Sequence, residues 1–412
     1  MKMVSRFILL IGFIFICNIA NSQCRFIDRV FPSIIRHDNV VYGNAPQVTP
    51  IFITEATTID IDLHVDILEP QADTMLHRPV IIMAYAGGFF TGTKNTDDMQ
   101  ALADTFAHHG YLTCSMQYRL FFNGLSPASA ERAVYRAVQD VDALIRFLVE
   151  NDNVYHIDSN QVFFIGSSAG AFAGLHHIFA DENERPASSY SGSLQPDLGC
   201  KSCSGNNFNH QAKIKAMASC WGAIGDTNWI VKAEHDVPLI LFHGDADPIV
   251  PYDYGYPFII NVAMPQVHGS YNINQRQNHE NIDHEFYTGA GGGHEYWGSV
   301  DGFFITPPNA NWNLMLNQIN LFFYNQLSNP PCALGTEEEM ESRPAILIKN
   351  GTVFISTQGD LLDAVTVFDM QGKQIKHIPI HQTSVVINNL NTGFYILYLM
   401  TGNKTHFFKI FI

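Results

Sequence analysis

The residues able to do chemistry in this sequence gather around one serine. Gly166-Ser167-Ser168-Ala169-Gly170 follows the apolar run Gln161 to Ile165 and precedes a helical run ending at Phe179. Glycines two residues either side of a serine let a chain turn sharply from strand to helix, which exposes the hydroxyl and aims a helix N-terminus at it. The spacing selects Ser168, because Ser167 would need glycine where Ile165 and Ala169 stand. A serine hydroxyl is a weak nucleophile, so it needs a base, an acid to orient that base, and donors for the charge developing on the attacked carbonyl. His294, after the loop Gly291-Gly292-Gly293, is the candidate base. Asp247, in His243-Gly244-Asp245-Ala246-Asp247-Pro248 past the end of an apolar run, is the candidate acid. Tyr85-Ala86-Gly87-Gly88-Phe89 closes another apolar run, and the N–H groups of Gly87 and Gly88, joined by that of Ala169, can face an oxyanion.

Competing chemistries fail on spacing. Gly87 and Gly92 have the separation of a phosphate loop, but Thr93-Lys94 stands where Lys then Ser/Thr is required. His279-Glu280 with His284 departs from the HExxH spacing that puts two zinc ligands on one helical turn, so no catalytic metal is expected. Cys200-Lys201-Ser202-Cys203 lacks a second Cys/His pair at zinc spacing and reads as a surface disulfide or plain thiols. His243 reads as a structural hydrogen-bonding group. Phe89, Phe90, Trp221, Trp229 and Trp297 are candidates to line an apolar acyl site or to be ordinary core aromatics.

Such a site needs a rigid frame, and short apolar strands alternating with helical patterns supply one. Strands are expected at 79–86, 112–120, 161–165, 214–220, 237–243 and 285–287, with helices at 99–109 and 128–150. The second helix carries Val134, Val138, Val141, Leu144, Ile145 and Leu148 along one side. This rhythm predicts an α/β fold, a mostly parallel sheet with helices on both faces. Residues 252–284, interrupted by Pro257, Pro265 and Gly269, read as a loop-rich wall or lid over the pocket.

Residues of roughly 50–328 resemble an α/β-hydrolase of the esterase branch that includes the hormone-sensitive-lipase-like and feruloyl/acetyl esterases. YAGGF stands where that branch has HGGGF or HGGGW, Tyr118-Arg119-Leu120 resembles its YRL strand end, and HGDADPIVP its acid loop. The chain order Ser168, Asp247, His294 is also that of the fold. The resemblance implies Ser168 as nucleophile, Asp247 as acid, His294 as base and Gly87, Gly88 and Ala169 as oxyanion donors, with no cofactor. Tyr85 for His and Ala86 for the first Gly are its departures.

Beyond Ser328-Asn329-Pro330-Pro331 and the acidic run 337–339 the texture changes to about seven short strands, expected to form a β-sandwich. This module, 344–412, resembles the C-terminal sorting domain of the type IX secretion system of Bacteroidota through VTVFDMQGKQI and VVINNLNTGFYILYLMTGNKTHFFKI; a carbohydrate-binding sandwich is the alternative. At the other end Lys2 and Arg6, an apolar stretch and Ala20-Asn21-Ser22 form a signal peptide, 1–22, too short to span a membrane. Its removal leaves an even six cysteines, which an exported chain can pair. Cys114 and Cys220 sit in apolar runs as candidate free thiols, whereas a bridge between Cys24 and Cys332 would tie the ends of one domain.

The 412 residues carry 23 basic against 39 acidic side chains, a formal −16, so nucleic acid and anionic membrane are poor partners. The expected organisation is a signal peptide 1–22, a catalytic domain 23–330, a linker 331–343 and a sorting domain 344–412. The expected protein is a secreted or surface serine esterase acting on a small, polysaccharide-linked or polymeric ester, with the secretion machinery as partner. A serine peptidase of the same fold and a catalytically silent adhesin are the alternatives. Against the peptidase, Ala rather than Tyr follows the nucleophile and no propeller precedes it.

Overall fold

The computed structural model describes residues 23–258, 264–305, 308–332, 345–349, 352–357, 361–369, 373–391, 393–401 and 404–412. The expected signal peptide and the acidic run 337–339 lie outside them. The chain divides into two compact units, Met1–Pro331 and Cys332–Ile412.

In the first unit the strands are β1 (Ile34–Val48), β2 (Thr58–Pro70), β3 (Arg78–Ala84), β4 (Leu112–Met116), β5 (Ile157–Ser167), β6 (Ala216–Cys220), the short β7 (Ala223–Ile224), β8 (Leu239–Gly244), β9 (Tyr254–Gly255), β10 (Val267–Gly269), β11 (His284–Gly289) and the pair β12 (Ser299–Val300) and β13 (Phe303–Phe304). The helices are α1 (Asp97–His109), α2 (Pro127–Glu150), α3 (Asp152–Tyr155), α4 (Ala169–Phe179), α5 (Ser270–Glu280) and α6 (Ala310–Asn325). Eight strands form one sheet in the order β1-β2-β4-β3-β5-β6-β8-β11. β1, β2 and β4 pair antiparallel, and from β4 to β11 every neighbour is parallel.

Strands buried on both faces read as continuous apolar runs, and Val80 to Ala84 of β3 have no exposed surface. Successive residues of β5 serve opposite faces. Phe163 meets Phe323 of α6 at 4.9 Å, and α6 in turn meets α1 through Phe106. Phe164 lies under α4, where a Cβ on Gly174 would come within 2.6 Å of its ring, so that glycine lets helix and sheet pack flush.

Three features depart from the expectations. β1 and β2, a long antiparallel pair, went unread because polar residues break their apolar pattern at the edge of the sheet. Residues 270–280 of the expected loop-rich wall form α5, ending on Asn281 in the left-handed region. The polar side of α2 is buried instead of solvated: Glu55 takes Arg132 at 2.5 Å and Arg136 at 2.9 Å, and Asp140 takes Arg119 at 2.8 Å. Such charges tolerate burial only when paired, and removing one partner of a buried pair costs about 3–5 kcal/mol.

The second unit holds β14 (Ala345–Lys349), β15 (Thr352–Ser356), β16 (Leu362–Asp369), β17 (Gln374–Gln382), β18 (Ser384–Ile387), β19 (Phe394–Thr401) and β20 (Lys404–Phe411). They form antiparallel sheets β14-β15-β18 and β17-β16-β19-β20. Val353, Ile355, Val365, Val367, Leu397 and Leu399 belong to their common core, as a β-sandwich requires.

Candidate active site

β5 ends one residue before Ser168, and α4 begins one residue after it. Ser168 is held at φ 51°, ψ −116°, a conformation that costs free energy for a residue with a side chain. The flanking glycines make it possible. A Cβ on Gly166 would lie 2.5 Å from the backbone of Ala171, and one on Gly170 would lie 2.1 Å from the Ala84 carbonyl oxygen. Ser167 points the other way, buried and accepting a 3.0 Å hydrogen bond from Trp221 Nε1.

His294 Nε2 lies 2.9 Å from Ser168 Oγ, and its Nδ1 lies 2.7 Å from Asp247 Oδ2. An ionised carboxylate only accepts, so Nδ1 carries the proton and Nε2 is left to accept from the serine hydroxyl. Asp247 follows β8, and its Oδ1 takes the amides of Ile249 at 2.7 Å and Val250 at 3.1 Å. Burial alone would raise this carboxyl. Hydrogen bonds from His243 and His294 and from the Ile249 amide outweigh burial and hold it well below the usual carboxylate range.

For His243 the sequence indicated a structural role without showing what the ring holds. Its Nε2 lies 3.3 Å from Asp247 Oδ2 and 3.2 Å from the Val250 carbonyl, both acceptors, so that nitrogen carries the proton. Ser270 Oγ sits 2.8 Å from Nδ1. Asp245 bonds beyond its own loop: its Oδ1 accepts from the Gly291 amide at 2.6 Å, joining the acid loop to the histidine loop.

Across from the serine, the turn after β3 hangs on one carbonyl. Tyr85 O accepts from the Gly170 amide at 3.1 Å and from Tyr118 Oη at 2.8 Å, tying the turn to the start of α4. Gly87, at φ 132°, closes the turn by accepting at its oxygen from the amides of Phe90 and Thr91. Gly88 and Ala169 line the same cavity as Ser168. The Ala169 amide, at the first helical position, has no carbonyl one turn back to bond.

That cavity measures about 420 Å³. Of the aromatics expected to line it, Phe89 and Trp229 do. Phe90 is exposed instead, and Trp221 and Trp297 are core residues, packed on each other at 4.7 Å with Trp221 backing His294 at 6.1 Å. Sequence reasoning missed Phe122, Phe172 and Phe258, since residue type alone does not tell which way a ring points. His176 also lines the cavity, and burial pushes its imidazole down to about 4, against its hydrogen bond to the Phe172 carbonyl.

Cys200 and Cys203 form a disulfide, and Cys114 and Cys220 are free and buried. Burial raises both free thiols, which makes them poor nucleophiles. Among the described residues no cluster of His, Cys, Asp or Glu is arranged to hold a metal ion, and no helix is long and apolar enough to cross a membrane.

A mostly parallel sheet with helices on both faces, bearing its serine on the turn from β5 to α4, its acid past β8 and its histidine past β11, is an α/β-hydrolase fold. Residues 65–226 match the BD-FAE family, and residues 349–412 match the secretion system C-terminal sorting domain. Gut esterase 1 of Caenorhabditis briggsae is 29% identical over 94 residues, 23% of this chain and 17% of that one. Juvenile hormone esterase of Tribolium castaneum is 23% identical over 202 residues, 46% of this chain and 34% of that one. The chain thus spans well under two thirds of either curated relative. Among solved structures, propionate-bound esterase 2 of Thermogutta terrifontis is similar over 65% of this chain and 92% of its own, at 16% identity and a TM-score of 0.46. A truncated carbohydrate esterase from gut microbiota is similar over 73% and 98%, at 17% identity and a TM-score of 0.42.

Proposed function

We propose that the chain is a secreted serine esterase that forms an acyl-enzyme on Ser168. The observation that carries the reading is the unbroken relay from Ser168 Oγ to His294 to Asp247, at 2.9 and 2.7 Å, opening into an apolar cavity. His294 Nε2 takes the hydroxyl proton as Oγ attacks the ester carbonyl. The N–H groups of Gly87, Gly88 and Ala169 receive the oxyanion. Collapse of the tetrahedral intermediate expels the alcohol, which takes its proton from His294. Water then enters, gives a proton to the same nitrogen and attacks the acyl-enzyme, and the second collapse frees the acid and restores the Ser168 hydroxyl. Asp247 keeps the proton on Nδ1 throughout, and the scheme uses no cofactor. Residues 23–330 form the catalytic domain in this reading, 1–22 a cleaved signal peptide, 331–343 a linker and 344–412 the sorting module.

Labelling by a fluorophosphonate, alongside p-nitrophenyl ester hydrolysis, tests the assignment. Ser168→Ala should abolish both, and Ser167→Ala should keep a large part of both. Labelling that survives Ser168→Ala and vanishes in Ser167→Ala would reverse it, and a native chain that neither labels nor hydrolyses any ester would be a silent hydrolase fold.

A further inference from the structure

The cavity beside Ser168 bears on which esters fit. Its polar lining groups are largely engaged with the protein itself. His176 donates from Nδ1 to the Phe172 carbonyl at 2.8 Å and accepts at Nε2 from the Gly225 amide at 3.2 Å. Tyr135 Oη donates to the Gly199 carbonyl at 3.0 Å, and Lys201 Nζ to the Ala180 carbonyl at 3.0 Å. Arg185 is held by Ser189 and Asp197, and Gln266 Oε1 accepts from Tyr254.

Three carboxylates also stand on the lining, Glu131, Asp181 and Glu184, with Glu184 accepting from the Asp181 amide at 2.9 Å and Asp181 3.7 Å from Lys201 Nζ; the larger part of the surface facing the space is hydrocarbon. Val134 and Val138 of α2 stand on the lining together with Phe89, Phe172, Trp229 and Met264. A sugar bound here would surrender hydrogen bonds to water and find few in return. An alkyl chain loses nothing of the kind. At roughly 30 Å³ for each water-sized group, the 420 Å³ leaves room for a chain of several carbons and the near part of the alcohol, far more than an acetyl group fills.

We propose that the substrates are esters of medium-chain aliphatic acids, about six to ten carbons long, rather than acetylated carbohydrate. This rests on the reading of Ser168 as nucleophile. Each added methylene should raise kcat/KM about fourfold until the cavity is full, the equivalent of about 0.8 kcal/mol of burial.

The experiment measures kcat/KM of the purified full chain on p-nitrophenyl acetate, butanoate, hexanoate, octanoate, decanoate and dodecanoate. Acetate release from acetylated xylan and hydrolysis of methyl cinnamate are run beside methyl octanoate. Fluorophosphonate labelling of the same preparation reports on Ser168 whatever the chain preference. The expected result is a rise from acetate to a maximum between hexanoate and decanoate, with acetylated xylan poor and methyl octanoate faster than methyl cinnamate. Val134→Trp should move the maximum to butanoate or shorter, and Trp229→Ala should move it toward dodecanoate. A labelled enzyme that favours acetate, releases acetate from xylan efficiently or prefers the cinnamate overturns the proposal and leaves the nucleophile standing. Absence of both labelling and hydrolysis overturns both.

Discussion

After β5 the chain turns on glycines, and after β8 it turns on carboxylates. At the first turn the side chain of Ser168 is aimed by shape: two positions without Cβ atoms let backbone approach backbone, and one strained residue sits between them. At the second, Asp247 is aimed by partners, with two amides on one oxygen and two imidazoles on the other. Steric placement has no intermediate setting, because an added methyl group either fits or moves the backbone. Placement by hydrogen bonds is graded, because each donor can be removed by itself.

Gly170→Ala should therefore have the largest effect. Its new Cβ would fall 2.1 Å from the Ala84 oxygen, so soluble folded protein, or every trace of Ser168 labelling, should be lost. Wild-type melting with normal labelling would remove the steric half of the comparison. Asp247→Asn comes next. It should lose about 10⁴ in turnover, the cost of the wrong imidazole tautomer in a serine-histidine-aspartate triad, with little change in melting temperature. His243→Leu removes one donor from the charged carboxylate, about 1.5–3 kcal/mol, and should lower kcat/KM roughly ten- to hundredfold. His243→Gln, which keeps a donor, should recover part of that loss; equal damage in both would mean that the ring fills space and does not hold Asp247. Asp245→Ala gives up its bond to the histidine loop, about 0.5–1.5 kcal/mol, and should lower the melting temperature with less than a tenfold loss of turnover.

Asp98 sharpens the comparison from the opposite side. It is buried like Asp247, yet one of its oxygens has no partner among the described residues, and burial together with the nearby Glu295 charge pushes it up to about 8. Between the unfolded carboxylate value of about 4 and its folded value, the native chain keeps a proton that the unfolded chain releases, so stability falls as pH rises through that window. Asp98→Asn removes the titration. Its melting temperature, compared with that of the parent from pH 5 to pH 8, should gain several degrees at the alkaline end and little at the acid end; a parallel shift at every pH would assign the effect to packing.

The turn at Ser168 was legible because its requirement falls on the backbone, and glycine spacing records that requirement directly. The acid loop was less so. Asp245 and Asp247 lie two residues apart past one strand, and their partners, Gly291 and His294, come from a loop more than 40 residues further on. The same limit hid the work of His243 and the cavity rings: Trp221 and Trp297 belong to the core, and Phe172 to the cavity wall, by the direction of their side chains and not by type. The parallel strands announced themselves as apolar runs, whereas β1 and β2 at the edge alternate with polar residues and did not. The polar side of α2 was equally illegible, since its ion-pair partners Glu55 and Arg119 lie far from it or in a loop between elements.

The main chain and the side chain of Tyr85 make separate contacts. What joins the turn to α4 is its main-chain oxygen, which every amino acid possesses. The side chain is occupied elsewhere, stacked on Tyr118 at 4.4 Å and bonded to Gln117. A substitution at position 85 that fills the same space should therefore leave the donors beside the serine undisturbed, while position 118, which contributes a hydroxyl, has far less latitude.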